Sequence, residues 1–228
     1  MKKNNLKLKI IPILVIGYWL LVIGGANAQA APEFLVSWRA FNYVPADYLG
    51  KIFPVNGTLI KAGFDLVDNG KIADLSKNSV SWFIGGNLFQ SGNGLKTIVF
   101  NSQDADQQIR IRVANYRGAD AEKIFIIPVV RPETIIDARF PSSEINIGRH
   151  RLEAKPYFFN IFDLAGLTFD WFLNGELVTG QAAAPQFMDL NLESAGAPQK
   201  TRIAISSTIA NKSDRLESAS KILNLTIK

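Results

Sequence analysis

The apolar residues of this chain recur at every second position over short runs. Val80, Trp82 and Ile84 alternate with Ser81, Phe83 and Gly85. Phe169, Trp171 and Leu173 alternate with Asp170, Phe172 and Asn174. A period of two is that of a β-strand with one face buried. Each run then meets a dipeptide, Gly85-Gly86 or Asn174-Gly175. These residues tolerate the positive φ that a tight hairpin of the primed type requires. Leu88 and Leu177 restart the apolar pattern on the return strand.

The echo extends both ways. Upstream, Ile60, Ala62, Phe64 and Leu66 alternate with polar positions, as do Leu152, Ala154 and Phe158. Downstream, Gln108–Asn115 matches Thr201–Thr208, with Ile111 set against Ile203 and Val113 against Ile205. The runs "EKIFIIPVV" and "SKILNLTI" close the two copies. The first copy is longer than the second between the upstream run and its tryptophan, as an insertion in a loop would make it. Many short strands with turn signals between them, and no convincing helical run, predict an all-β chain of two β-sandwiches. The seam falls at Arg131-Pro132, giving units 31–131 and 132–228. Trp82 and Trp171, on inner-face positions, fill the space between two sheets about 10 Å apart.

Composition sharpens this picture. A hydrophobic share of 47% supports packed cores. The formal charge of +5 is misleading, because four of the 25 basic residues are Lys2, Lys3, Lys7 and Lys9, in a stretch without acids. The remainder carries 21 basic against 20 acidic side chains. No basic cluster is left to make a nucleic-acid footprint. The basic start, the apolar run Ile10–Ile23 and the small-residue sites Ala26-Asn27-Ala28 and Ala28-Gln29-Ala30 have the order of a secretory signal peptide over residues 1–30. The alternative is an uncleaved anchor, for which the run is shorter than the ~20 residues of a spanning helix. Membrane attachment is expected, if at all, only through that uncleaved segment. No Cys follows it to accept a lipid, and the C-terminus carries no apolar tail. The complete lack of Cys in an exported chain means that each unit stands on burial rather than on disulfides.

The motifs then bear a resemblance. Trp82 and Trp171, followed by Gly86 and Gly175, and the strand end "RIRVANYRG" resemble bacterial immunoglobulin-like (Ig-like) or PKD-like domains, found in tandem in secreted and surface proteins. The resemblance covers Ala31–Lys228. It lacks the cysteine pair of antibody-type domains and the Tyr that typically opens the "QIRIRV" strand in PKD domains. It implies two tandem Ig-like β-sandwich domains that serve spacing, adhesion or ligand display, with no catalysis and no cofactor.

The search for chemistry agrees with that implication. His150, the one imidazole, lies between two arginines at the start of a strand and reads as an exposed edge residue. A zinc site needs Cys or several His. Asp104, Asp106, Asp120, Glu133 and Asp137 raise the question of calcium at the seam. They read more simply as solvated turn residues, so no metal site is assigned. Nothing marks a glycosidase carboxyl pair, and no enzyme is expected. Outward aromatics are the better lead. The alternation that turns Leu152, Ala154 and Phe158 inward turns Tyr157 and Phe159 outward, and Phe172 opposes Trp171. Tyr157, Phe159 and Phe172 are therefore the expected contacts for a protein or glycan partner at the cell envelope. Two alternatives stand beside this reading. One is a pilus-type periplasmic chaperone using "KIFIIPVV" as a strand-templating edge, although no basic anchor pair is recognisable. The other is a carbohydrate-binding module. On this reading the exported product begins between Gln29 and Ala31, and N-terminal sequencing checks it; an intact Met1 in a membrane fraction would overturn it.

Overall fold

The computed structural model describes residues 31–138, 143–179, 184–193 and 201–228; the expected signal peptide lies outside them. Within them the chain is a series of strands, paired antiparallel except where Glu144–Ile145 runs parallel to residues 226–227, and one short 3₁₀ turn, Leu164–Gly166.

The first sandwich comprises β1 (Glu33–Ala40), β2 (Leu59–Asp68), β3 (Lys71–Ile72), β4 (Ser79–Ile84), β5 (Asn87–Asn93), β6 (Thr97–Asn101), β7 (Gln107–Tyr116) and β8 (Ala119–Ile127). One sheet joins β1, β2 and β3, with β6 also on β2; the other runs β5-β4-β7-β8. The second sandwich comprises β9 (Glu133–Asp137), β10 (Glu144–Ile145), β11 (Gly148–Tyr157), β12 (Leu167–Leu173), β13 (Glu176–Val178), β14 (Phe187–Leu192), β15 (Arg202–Asn211) and β16 (Ser218–Ile227). Its sheets run β14-β11-β9 and β10-β16-β15-β12-β13. The same distribution of strands over two sheets occurs twice, with the first, second and fifth main strands opposite the third, fourth, sixth and seventh. This is the Ig-like arrangement, so the fold is two tandem Ig-like β-sandwiches.

The alternation explains the cores. Ile60, Ala62, Phe64 and Leu66 of β2 are all buried, as are Leu152 and Ala154 of β11. Trp82 and Trp171 are 0% and 1% exposed and each anchors its own hydrophobic cluster. Each indole N–H is satisfied across the sandwich. Trp82 Nε1 donates to the Leu95 carbonyl at 2.8 Å, and Trp171 Nε1 to the Pro185 carbonyl at 3.0 Å. Both acceptors lie just before the equivalent strands, β6 and β14, of the opposite sheet. The hairpin turns also form as expected, with positive φ at Gly85, Gly86, Asn174 and Gly175.

The register of the echo needs correction. Trp82 stands opposite Ile111 on β7, whereas Trp171 stands opposite Ser207 on β15. Ile111 therefore corresponds to Ser207, and the pairing with Ile203 is four residues out of step. A slip by an even number keeps every residue on its own face, which is why alternation alone does not detect it.

The last strand of each sandwich carries a lysine on its core-side face. Lys123 of β8 is paired with Ile111, and Lys221 of β16 with Ser207. Both side chains are exposed. On β8, which ends its sheet, such an inward-pointing charge opposes pairing with a further strand.

The sandwiches meet through the loop 41–58. Tyr43 N–H donates to the Phe159 carbonyl at 2.7 Å, and Phe158 N–H to the Tyr43 carbonyl at 2.8 Å. Asn160 spans the junction with both ends of its amide, accepting from the Thr58 hydroxyl at 2.6 Å and donating to the Asn56 carbonyl at 2.8 Å. Its backbone N–H donates to the Glu217 carboxylate at 2.6 Å. Val130 N–H, in the connecting segment, donates to Pro54 at 2.9 Å. Trp82→Ala or Trp171→Ala is expected to cost about 3–5 kcal/mol through lost burial and a cavity, with most of the damage in its own sandwich. Urea unfolding of the variants checks this, and near-neutral effects at both positions would refute the core assignment.

Candidate binding surfaces

The expected aromatic contacts occupy three different environments. Phe159 is not outward: it is 0% exposed and belongs to the second core. The cause is local. Phe158 has φ +64°, a left-handed conformation uncommon for a bulky residue. The strand's alternation ends there, and two successive side chains are buried. Phe158 faces the junction, with Tyr48 at 5.8 Å and Phe53 at 6.2 Å between ring centroids. Tyr157 is half-buried beside it and meets Tyr48 edge-on at 5.7 Å. The pairing of β11 with β14 ends at Glu153, ahead of Pro156, which lacks a backbone donor. The junction is thus a cluster of aromatic rings.

The electrostatics of the junction follow from this burial. Lys155 Nζ lies 3.2 Å from Asp47 and 3.3 Å from Asp137, one carboxylate from each sandwich. Hydrogen bonds to Asp47 and Asp137 raise its pKa. Burial, then the Glu153 and Asp47 carboxylates, raise that of Tyr43. Burial also raises that of Tyr157, against the opposing charge of Lys155.

Phe172 has another setting. It lies on the solvent face of the five-stranded sheet, half-buried, paired with Leu177 on β13 and with Ser206 on β15. Ser206 is in turn paired with Ile222 on β16. The row across the sheet reads Leu177–Phe172–Ser206–Ile222, with Leu177 55% and Ile222 63% exposed. The first sandwich has the same row. Leu88 on β5 pairs with Phe83, Phe83 with Arg110 on β7, and Arg110 with Ile124 on β8. Leu88 is 60% and Ile124 54% exposed. A bulge between Trp82 and Phe83 brings Leu88 opposite Phe83. Leu88 and Leu177 therefore belong to the outer face rather than to the core.

The two rows differ at one position. Arg110 lays its guanidinium 4.0 Å from the centroid of the Phe83 ring, a cation–π contact, where the second row has Ser206. The charges beside the first row are paired. Arg112 bonds Asp120, Arg112 Nε lies 3.8 Å from Glu122, and Arg110 lies 3.9 Å from Glu122. Backbone donation from Asn115 and then the Arg112 side chain lower the pKa of Asp120. The row was legible in part, since Phe83 and Phe172 oppose the tryptophans. The restart of the apolar pattern at Leu88 and Leu177 does not by itself tell the outer face from the core.

The acids considered for calcium are dispersed. Asp106 accepts the Val129 N–H at 2.9 Å, Asp120 takes Arg112 and Asn115, and Asp137 faces Lys155. Among the described residues no three His, Cys, Asp or Glu side chains group closely enough to hold a metal ion. His150 is half-buried rather than exposed, its Nε2 2.7 Å from the Asn146 carbonyl. No described helix is long and apolar enough to cross a membrane.

No protein-family model matches the chain, and no curated protein does. Solved structures resemble it at low identity. The fibronectin(III)-like modules of Clostridium thermocellum CbhA are 14% identical, over 85% of this chain and 94% of that one, with a TM-score of 0.29. A structure concerning host cell surface retention of a 1.5-MDa bacterial ice-binding adhesin is 12% identical over 88% and 66%, with a TM-score of 0.31. The Bacteroides ovatus SGBP-B, in complex with a mixed-linkage heptasaccharide, is 15% identical over 88% of this chain and 48% of that one, at 0.25. The Ig-like assignment above rests on the strand order of the chain itself.

Groups whose pKa is raised by folding contribute stability that is fully present below their unfolded values and lost as pH rises through the folded ones. The unfolded value is 10.0 for Tyr43 and Tyr157 and 10.5 for Lys155, and folding raises each of them. The junction should therefore hold constant stability from neutrality to about pH 9 and weaken reversibly above about pH 10. Urea titrations at stepped pH check this, and an unchanged midpoint at about pH 11 would contradict it.

Proposed function

We propose that this chain is an exported, non-catalytic Ig-like module, with PKD-like strand ends, that works by binding and spacing at the cell envelope. Its units are 31–131 and 132–228, following a leader over 1–30. The observation that carries the binding half of this reading is the recurrence of the Leu–Phe–x–Ile row on the solvent face of both sandwiches. Apolar residues at core positions are accounted for by the fold, whereas those at outer positions are not. Single exposed apolar residues are ordinary, but the same exposed row arising twice in one chain fits a contact surface. The hydrogen-bonded junction supports the spacing half, because it ties the second sandwich to the loop of the first. The partner class is a protein or a glycan of the envelope. Phe172 stays in the contact surface, Tyr157 contributes at the junction, and Phe159 is left out because it is buried.

One observation favours a second reading, strand addition of the chaperone kind. β8 ends its sheet, and its Ile124 and Ile126 are 54% and 58% exposed. Lys123 on the same strand weighs against it.

The test is the double variant Phe83→Ser/Phe172→Ser. Its unfolding should stay within about 1 kcal/mol of the parent, as for half-exposed surface positions. Its retention on whole cells or on a glycan panel should fall about tenfold or more if the rows make contact. Equal retention by a folded variant would refute the binding half.

A further inference from the structure

The first-sandwich row has a property that its exposure alone does not reveal: it is complementary to its own reverse. Taken across the sheet it reads Leu88, Phe83, Arg110, Ile124. Turned end for end against itself, it sets Leu88 opposite Ile124 and Phe83 opposite Arg110. Apolar ends then meet apolar ends, and each guanidinium meets a ring. We infer that the partner of this face is a second copy of the same chain, stacked sheet on sheet about a twofold axis parallel to the strands. The inference rests on reading the rows as contact surfaces.

The direction of the axis is fixed by charge. A twofold axis in the interface and perpendicular to the strands would keep the row in order and place Arg110 against Arg110. Like charges facing each other across a closing interface are costly. An axis parallel to the strands reverses the row and removes that clash. It also sets Ser81 opposite Arg112, and Ser91 opposite Glu122, so no like-charged pair faces itself in the neighbouring row either. The Arg110 and Arg112 charges are already offset within each copy by Asp120 and Glu122, so the face approaches its copy close to neutral. The second row reverses equally well, with Leu177 opposite Ile222 and Phe172 opposite Ser206. Each such contact is isologous and pairs one face with its copy. Two sheets stacking by their outer faces repeat the packing that builds each core, at about 10 Å. Joining through the β8 edge is opposed by Lys123.

The chain has no cysteine, so one introduced thiol per chain reports on one position. Leu88→Cys and Ile124→Cys are made in separate full-length chains, both at exposed sites. Each chain alone, and an equimolar mixture, is treated with a bismaleimide spanning about 10 Å, the spacing of stacked sheets. The mixture should cross-link to a dimer about tenfold faster than either chain alone, because only there do the two thiols face each other. Adding Phe83→Ser to both chains should abolish the difference. If Leu88→Cys alone links as fast as the mixture, the twofold arrangement is wrong. If nothing links and the mass stays at 25.2 kDa at every concentration, the inference fails. Should Phe83→Ser/Phe172→Ser still lose retention on cells in that case, the binding reading survives and only the second copy is excluded.

Discussion

Everything in this molecule depends on two tryptophans reaching across their sandwiches. An Ig-like unit without cysteine has no covalent tie between its sheets. Here the indole does two things at once. Its rings fill the space between the sheets, and its N–H must find an acceptor, because a buried donor left unpaired costs about 1–3 kcal/mol. In both sandwiches that acceptor is a carbonyl just before the fifth main strand, on the opposite sheet. Burial holds the sheets together, and the hydrogen bond fixes where along the strand they meet. The hairpin after the tryptophan strand, and with it the outer row, is positioned from that fixed point.

The junction obeys a different economy. It contains no large shared core. It is held by a left-handed Phe158, a ring cluster and the Asn160 amide bonded in both directions. A bulky residue in that conformation stores about 1–3 kcal/mol of strain and persists only where its surroundings enforce it. The loop 41–58 supplies that enforcement through Tyr43, Tyr48 and Phe53. The orientation of the second sandwich is thus encoded in the first.

The sequence discloses whatever follows from period two: the strands, the hairpins, the buried tryptophans and the doubling. It conceals what depends on a single departure from the period. Phe159 looks outward by alternation and is buried because one φ changes sign at Phe158. The strand register looks settled by Ile203 and Ile205, yet the residue under Trp171 is Ser207, a polar side chain at a core position where the first sandwich has Ile111. Similarity sought among apolar residues passes over it and lands four residues away. The outer row was half legible for the same reason. Its phenylalanines follow from the alternation, but Leu88 reaches the outer face through a bulge that spacing does not announce.

The lysines on the last strand of each sandwich have a consequence for how such a chain could be lengthened. Tandem copies of one fold are prone to exchange strands with their neighbours while folding, since each offers the other a familiar edge. A charge on the core side of the last strand makes the wrong partner bury an ammonium, whereas the right fold leaves it in water. Because Lys123 and Lys221 occupy matching places, the safeguard travels with the unit. Duplication of such a unit brings its own protection against misassembly, and an array could grow by repetition without first acquiring a separate means of keeping its members apart.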